Sequence, residues 1–113
     1  MRNLRNSVTL IGRVGKEPKI VNFENGGRIA NFSLATSDSY RNKAGEKIEE
    51  TQWHNLVVRN GMVKIVEDFV KKGKEIAIEG KLVTRSWDDK EGNKHYVTEV
   101  LVNDILLLGR KDS

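Results

Sequence analysis

The sequence contains no cysteine, and this absence narrows the ways in which the chain can be stabilised. Its 113 residues include two histidines and one proline. Disulfides and thiolate metal sites are therefore excluded, so the fold must be held by its apolar core. His54 and His95 lie in such different surroundings that they do not predict a metal site either. No cofactor is predicted.

Long apolar runs are also missing. No stretch approaches the ~20 consecutive apolar residues that span a membrane. The short apolar run after the basic start is below the length of a signal peptide. We expect a cytoplasmic protein with no membrane association.

Neither sign of charge dominates strongly. Twenty Lys and Arg residues face sixteen Asp and Glu residues, which gives a formal net charge of +4. This excess is compatible with a polyanionic partner without requiring one. Charged residues make up 32% of the chain, yet the apolar residues recur periodically. That pattern predicts a small folded domain rather than a disordered segment.

Five segments alternate apolar and polar residues with the period of two that is typical of β-strands. They cover residues 6–15, 28–40, 51–59, 75–87 and 96–108. Between the third and the fourth, the spacing becomes helical for about three turns, with Asn60 as the expected N-cap and Gly73 expected to end the helix. The positions expected to face the core on this helix are Met62, Ile65, Val66, Phe69 and Val70.

This order of elements predicts an all-β fold, a five-stranded OB-fold Greek-key barrel with one short helix between strands 3 and 4. An SH3-like barrel and an irregular α+β sheet are the alternatives. One domain is expected over residues 1–108, followed by a short tail at 109–113.

Three aromatic residues have basic neighbours on their own strand face or directly after them. The groups are Trp53 with Arg59, Trp87 with Lys81 and Arg85, and Tyr40 with Arg41 and Lys43. Rings that stack on bases beside cations that contact phosphates are what a single-strand binder needs. Taken singly, each aromatic could equally be a packing residue, but the three together favour a stacking surface.

The remaining polar residues do not predict an enzyme. Asp88, Asp89 and Glu91 lie in a charged turn where nothing in the sequence fixes their geometry, and His95 in the same turn is expected to be solvated. These acids should repel phosphate, so nucleic acid is expected to cross the hairpin below its tip. His54 falls on the inward parity of its strand, which favours packing or an interface. No nucleophile–base pair and no phosphate-binding glycine motif is found.

Several segments of the sequence resemble those of a known family. The segments that carry the resemblance are "NSVTLIGRVGKEP" (6–18), "NGGRIANFSLATSDSY" (25–40), "ETQWHNLVV" (50–58), "KKGKEIAIEGKLVTRSWDDKEG" (71–92) and "YVTEVLV" (96–102). In this order and spacing they resemble the bacterial-type single-stranded DNA-binding protein, over about residues 5 to 108.

The resemblance implies an OB-fold homotetramer that wraps single-stranded DNA in replication, recombination and repair at the nucleoid. The stacking positions of the family fall on Tyr40, Trp53 and Trp87. A fourth aromatic position falls on Arg59, which implies a cationic contact there. His54 falls on a histidine at a subunit contact.

The resemblance and the strand faces together give eight candidate phosphate-binding residues. They are Arg5, Arg13, Arg41, Lys43, Arg59, Lys72, Lys81 and Arg85. Members of the family usually continue into a flexible linker and an acidic tip that recruits repair and replication proteins. The sequence ends at "GRKDS", so recruitment through such a tip is not predicted. An RNA-binding or cold-shock-like OB domain and a protein-interaction module stay open as alternatives.

Overall fold

The structure, a computed structural model, describes residues 4–109. Within this range the chain forms six strands, a 3₁₀ turn and an α-helix. Their bounds are β1 Val8–Val14, β2 Lys19–Asn22, β3 Arg28–Arg41, β4 Lys47–Arg59, the 3₁₀ turn Asn60–Met62, α1 Val63–Phe69, β5 Glu75–Asp88 and β6 Lys94–Leu107. The sequence predicted one domain over residues 1–108 and a tail over residues 109–113. Residues 1–3 of this domain and residues 110–113 of the tail lie outside the described residues.

Five of the strands close into a barrel. The sheet order is β1-β5-β6-β4-β3-β2, and an additional β1–β3 pairing at Arg13 and Val14 closes the ring. All pairings are antiparallel except β4–β6, where Leu56 and Val57 pair with Val100 and Leu101 in parallel. The predicted OB-fold is thereby confirmed, with one addition. The short strand β2 pairs with the start of β3 and was not predicted.

The core lies inside the barrel and under the helix. Alternate residues of β3, β4, β5 and β6 point inward and are buried, as the period-two pattern predicted. The buried set is Val14, Ala30, Phe32, Leu34, Leu56, Val58, Val63, Val66, Val70, Ile76, Ile78, Val100 and Val102.

The helix is shorter than predicted and faces the core differently. Asn60 was expected to cap it, but Asn60 has a φ of 55° and begins the 3₁₀ turn, and the N-cap position of α1 is held by Met62. A 3₁₀ turn comes first, so the helical face is rotated. Val63, which was not predicted, is buried, whereas Phe69 is 54% exposed. Gly73, with a φ of 84°, belongs to the turn after the helix and does not end the helix itself.

Two hairpin arms extend beyond the barrel. The ladder between β3 and β4 continues to the pair Arg41–Lys47, and the ladder between β5 and β6 continues to Asp88–Lys94. These arms raise the radius of gyration to 16.5 Å, compared with about 13 Å for a compact domain of this length. The arms offer strand faces that the barrel does not cover.

No helix in residues 4–109 has the length and apolar composition needed to cross a membrane.

Candidate nucleic-acid interface

The strand registers place several sequence-predicted residues on one side of the sheet. Leu56 and Val58 point into the barrel, so the odd-numbered residues of β4 point outward. Val57 pairs with Leu101 of β6, and Leu101 pairs with Lys81 of β5, so this outward side is continuous across three strands. We call it the outer face. Its residues include Trp53, Asn55, Val57 and Arg59 on β4, Lys81, Arg85 and Trp87 on β5, and His95, Glu99 and Leu101 on β6.

Trp53 lies on the outer face with 63% of its surface exposed. Its indole covers the backbone at Gly15, where β1 has just ended. A Cβ added at Gly15 would come within 2.4 Å of Trp53 Cζ3 and 2.8 Å of Ser33 Oγ. Only a residue without a side chain leaves room for the ring in this position, so Gly15 helps to determine where the indole lies.

Trp87 lies on the β5–β6 arm and is 46% exposed. The guanidinium carbon of Arg85 is 5.6 Å from the centroid of its ring, a cation–π distance. The imidazole of His95, directly opposite on β6, stacks on the indole with a centroid distance of 5.3 Å and an interplanar angle of 21°. The expectation that His95 is merely solvated is therefore wrong, because strand pairing brings it onto the indole.

Arg85 is held by a carboxylate. Its Nε donates to Glu99 Oε1 at 2.8 Å, and its Nη2 lies 3.4 Å from Glu99 Oε2. The side chain of Glu99 is only 10% exposed, whereas that of Arg85 is 64% exposed. The hydrogen bond to Glu99 and the attraction of its charge raise the pKa of Arg85. The guanidinium thus reaches the surface with its charge already matched by a neighbour.

The acidic turn at the tip of the β5–β6 arm is ordered by Asp89. Its Oδ1 accepts hydrogen bonds from the backbone N–H groups of Glu91, at 2.9 Å, and Asn93, at 2.8 Å. Its Oδ2 lies 2.8 Å from His95 Nε2. The bond to His95 lowers the pKa of the Asp89 carboxyl, and the bonds from the turn add to this. The expectation that nothing fixes the geometry of these acids is wrong for Asp89.

Tyr40 does not share the outer face. It pairs with Ile48 and has the parity of Leu34, which points into the barrel, so it lies on the opposite side of the β3–β4 ribbon from Trp53. It is exposed because the arm extends past the barrel at this point. The aromatic set predicted from the sequence therefore divides into two tryptophans on one face and a tyrosine on the reverse side of an arm.

The eight predicted phosphate-binding residues are all exposed but are not gathered in one place. Arg59, Lys81 and Arg85 lie on the outer face. Arg41 and Lys43 lie at the tip of the β3–β4 arm, where Arg41 Nη1 donates to the Gly45 carbonyl at 2.8 Å. Arg5 precedes β1, Lys72 follows α1, and Arg13 Nη1 donates to the Gly73 carbonyl at 3.0 Å.

His54 is half-buried on the inward side of the β3–β4 arm, opposite Leu34. Its Nε2 lies 2.9 Å from Thr36 Oγ1. The side chain thus faces away from Trp53, on the reverse side of the same strand. Its predicted place at a subunit interface stays a prediction.

Comparison with known proteins agrees with this geometry. The model of the single-strand binding protein family matches residues 5–108. The chain belongs to this family. The resemblance predicted from the sequence segments is therefore confirmed, and it covers all but a few residues of the chain.

Three bacterial relatives of this family member carry the name single-stranded DNA-binding protein. The protein of Chlorobaculum tepidum is 42% identical over 96% of this chain and 67% of its own length. That of Xylella fastidiosa is 42% identical over 94% of this chain and 79% of its own. That of Rhizobium meliloti is 48% identical over 86% of this chain and 57% of its own. None of these names is that of an enzyme, in agreement with the prediction of a non-catalytic protein.

Two solved structures resemble this family member. One is the Plasmodium falciparum SSB complex with ssDNA, with a TM-score of 0.85 and 32% identity over 96% of this chain and 98% of the other. The second is a deletion mutant of the single-stranded DNA binding protein from Thermus aquaticus. It has a TM-score of 0.79 and 26% identity over 92% of this chain and 50% of the other.

Sequence reasoning missed three residues that shape the outer face, namely Gly15, His95 and Glu99. Glu99 could have been noticed as the one acid among the apolar residues of "YVTEVLV". Its partner Arg85 lies on another strand, so the pairing required the register. No sequence signal connects Gly15 with Trp53, which is 38 positions away (53 minus 15).

Proposed function

We propose that the chain binds single-stranded DNA on its outer face and protects it during replication, recombination and repair. Bases stack on Trp53 and Trp87, and basic side chains contact the phosphates. The observation that carries this proposal is that both tryptophans lie exposed on one continuous sheet face. The names of the relatives and the ssDNA complex among the similar structures support it.

The energetics favour binding that tolerates any base sequence. Stacking on one aromatic residue is worth about 1–3 kcal/mol per base, and every base has a π-face. An exposed indole forgoes the burial that an apolar residue gains in a core. Two exposed indoles beside cations therefore suit a surface that a ligand covers.

Titration of intrinsic tryptophan fluorescence with oligo-dT tests the stacking. We expect the emission to be quenched and the affinity to fall as salt rises, because neutralised phosphates release counterions. Saturating oligonucleotide with unchanged emission would contradict stacking on Trp53 and Trp87.

Alanine variants separate the outer face from the rest of the surface. Trp53→Ala and Trp87→Ala should each lose about 1–3 kcal/mol of DNA affinity with little loss of fold stability. Tyr96→Ala is the matched control, because Tyr96 is an exposed aromatic residue on the reverse side of the same arm as Trp87. Equal losses in all three variants would argue against a stacking face.

The basic residues form two groups in this proposal. Arg59, Lys81 and Arg85 contact phosphates beside the tryptophans. Arg5, Arg13, Arg41, Lys43 and Lys72 extend the contact along the arms and around the barrel, with Tyr40 as a stacking residue on the β3–β4 arm. Replacing one phosphate-contacting residue by alanine should make the slope of log K against log salt less steep by about 0.7.

The assembly proposed for the chain is a homotetramer in which His54 lies at a subunit contact, located in the cytoplasm at the nucleoid. The inward parity and half-burial of His54 support this contact. Sedimentation at micromolar concentration should give a tetramer for the wild type. His54→Ala should shift the equilibrium toward smaller species, whereas His95→Ala on the outer face should leave it unchanged. A monomeric wild type would contradict the proposal.

A further inference from the structure

His95 and Trp87 form a pair of stacked rings on the outer face. They lie directly opposite each other in the β5–β6 ladder, with a centroid distance of 5.3 Å and an interplanar angle of 21°. Trp87 keeps 46% of its surface exposed, and the side chain of His95 is also 46% exposed. The two rings thus present one joined aromatic surface to solvent on the side where Trp53 also lies.

The imidazole is held in place from its outer edge. His95 Nε2 lies 2.8 Å from Asp89 Oδ2, and Asp89 is itself fixed through Oδ1 by the N–H groups of Glu91 and Asn93. The lowered pKa of Asp89 keeps this carboxyl ionised, and therefore an acceptor, at neutral pH. A histidine on an exposed hairpin would otherwise sample several rotamers, and ordering it in advance reduces the entropy lost on binding.

The contact to Asp89 uses one ring nitrogen and leaves the other available. Nδ1 of His95 makes no hydrogen bond to the residues that the structure describes. The imidazole therefore offers a face for a base and, with its proton on Nε2 toward Asp89, an Nδ1 that can accept a hydrogen bond from a donor on a base edge.

We propose that His95 is a further DNA-contact residue, which extends the stacking surface of Trp87, and that Asp89 is the positioning residue that holds it there. This inference rests on the proposed function, because the ligand is a nucleobase of single-stranded DNA. It gives the acidic turn a role besides the repulsion of phosphate. Asp89 does not contact the DNA itself but holds in place the imidazole of His95, which does.

The competing arrangement is a lid, in which His95 covers the indole and must leave before a base can stack. Binding of oligo-dT to His95 variants distinguishes the two. His95→Ala should bind about fivefold more weakly, which corresponds to the lower end of one stacked base, ~1 kcal/mol. His95→Phe retains an aromatic ring and should bind within about twofold of the wild type. A lid predicts the opposite sign, tighter binding of His95→Ala.

The role of Asp89 is tested with a charge-matched neighbour. Asp89→Asn and Asp88→Asn remove the same charge at adjacent positions near the tip of the same arm. The side chain of Asp88, the last residue of β5, makes no hydrogen bond or ion pair to residues 4–109. Loss of charge alone should strengthen DNA binding equally in both variants. If Asp89 positions the ring, Asp89→Asn should bind about threefold more weakly than Asp88→Asn, because an amide anchors the imidazole less firmly than a carboxylate. Cross-peaks between the imidazole and indole protons in NMR spectra should weaken in Asp89→Asn alone.

The outcomes separate this inference from the proposed function. Wild-type binding with quenched emission, weakened in Trp53→Ala but unchanged or tighter in His95→Ala, would overturn the inference and leave the function standing. Equal affinity and equal cross-peaks in the two aspartate variants would remove the positioning role of Asp89. A wild type that does not bind oligo-dT would instead overturn the proposed function.

Discussion

At the scale of single residues, the exposed rings are placed by small and charged neighbours rather than by apolar packing. Trp53 lies over the backbone of Gly15, and Trp87 lies beside the Arg85–Glu99 pair. Neither indole gains the burial that normally fixes a tryptophan. Replacing the neighbours should therefore change ligand binding more than fold stability.

Gly15→Ala tests this for Trp53. The new methyl group would lie 2.4 Å from Trp53 Cζ3, so the exposed indole must move. We expect the free energy of DNA binding to weaken by up to ~3 kcal/mol, the upper value for one stacked base. The tryptophan emission should shift, and the melting temperature should stay nearly unchanged. Gly61→Ala is the control, since a Cβ at Gly61 has nothing within 4 Å. Wild-type affinity and emission in Gly15→Ala would contradict this account.

Glu99→Gln tests whether the charge of Arg85 is already matched. The substituted amide would keep the shape and a hydrogen-bond acceptor but remove the charge, so the phosphate that Arg85 contacts would no longer compete with a carboxylate for the guanidinium. The slope of log K against log salt should steepen by up to about 0.7, the effect of one full phosphate contact on a single strand. Glu91→Gln in the turn removes the same charge without releasing an arginine, because the side chain of Glu91 has no ion-pair partner within residues 4–109. Identical slopes for the two variants would refute the idea.

At the scale of elements, the β5–β6 arm depends on an ionised carboxylate at its tip. The pKa of Asp89 is lowered in the folded chain by its bonds to His95 and to the turn. A lowered folded pKa means that the carboxylate stabilises the fold above the unfolded pKa. This contribution is lost as the pH falls through the folded pKa.

Comparison of Asp89→Asn with the wild type in acid checks this dependence. The difference in unfolding free energy between the two should be fully present at neutral pH and should shrink as the pH falls below ~4, the ordinary pKa of an aspartate. Urea unfolding at neutral pH and again in acid, well below that pKa, measures it. A difference that stays constant between the two conditions would show that the charge of Asp89 does not stabilise the arm.

At the scale of the whole molecule, closure of the barrel depends on a close approach of backbones. A Cβ at Gly12 would lie 2.1 Å from the carbonyl oxygen of Ala35, where β1 meets β3. Backbone cannot move aside as a flexible side chain can. Gly12 thus allows the contact that joins the two ends of the five-stranded ring.

Gly12→Ala should therefore destabilise the fold by about 1–3 kcal/mol, the usual range for overpacking. Thermal or urea unfolding compared with Gly61→Ala measures the loss. A melting temperature equal to that of the wild type would mean that β1 and β3 can separate at this point without cost.

The order of elements along the sequence predicted the barrel. The sequence by itself also determined which side of its own strand each tryptophan shares with basic residues, Trp53 with Arg59 on one strand and Trp87 with Lys81 and Arg85 on another. These placements follow from the period of two, because successive side chains of a β-strand point to opposite faces of the sheet whichever strand it pairs with. The same parity could have placed Tyr40 on the side opposite to Trp53. Tyr40 was instead grouped with the tryptophans because it lies at the end of a strand beside basic residues.

Only the tertiary structure decided which residues touch across strands. The stack of His95 on Trp87, the pairing of Glu99 with Arg85 and the position of Trp53 over Gly15 all depend on register and on barrel closure. Phe69 is exposed for a related reason. The 3₁₀ turn before α1 rotates the helix, so the face that packs on the core differs from the face that the spacing of the apolar residues predicted. Periodicity tells which way a side chain points along its own element, whereas contacts between elements are determined by how those elements pair.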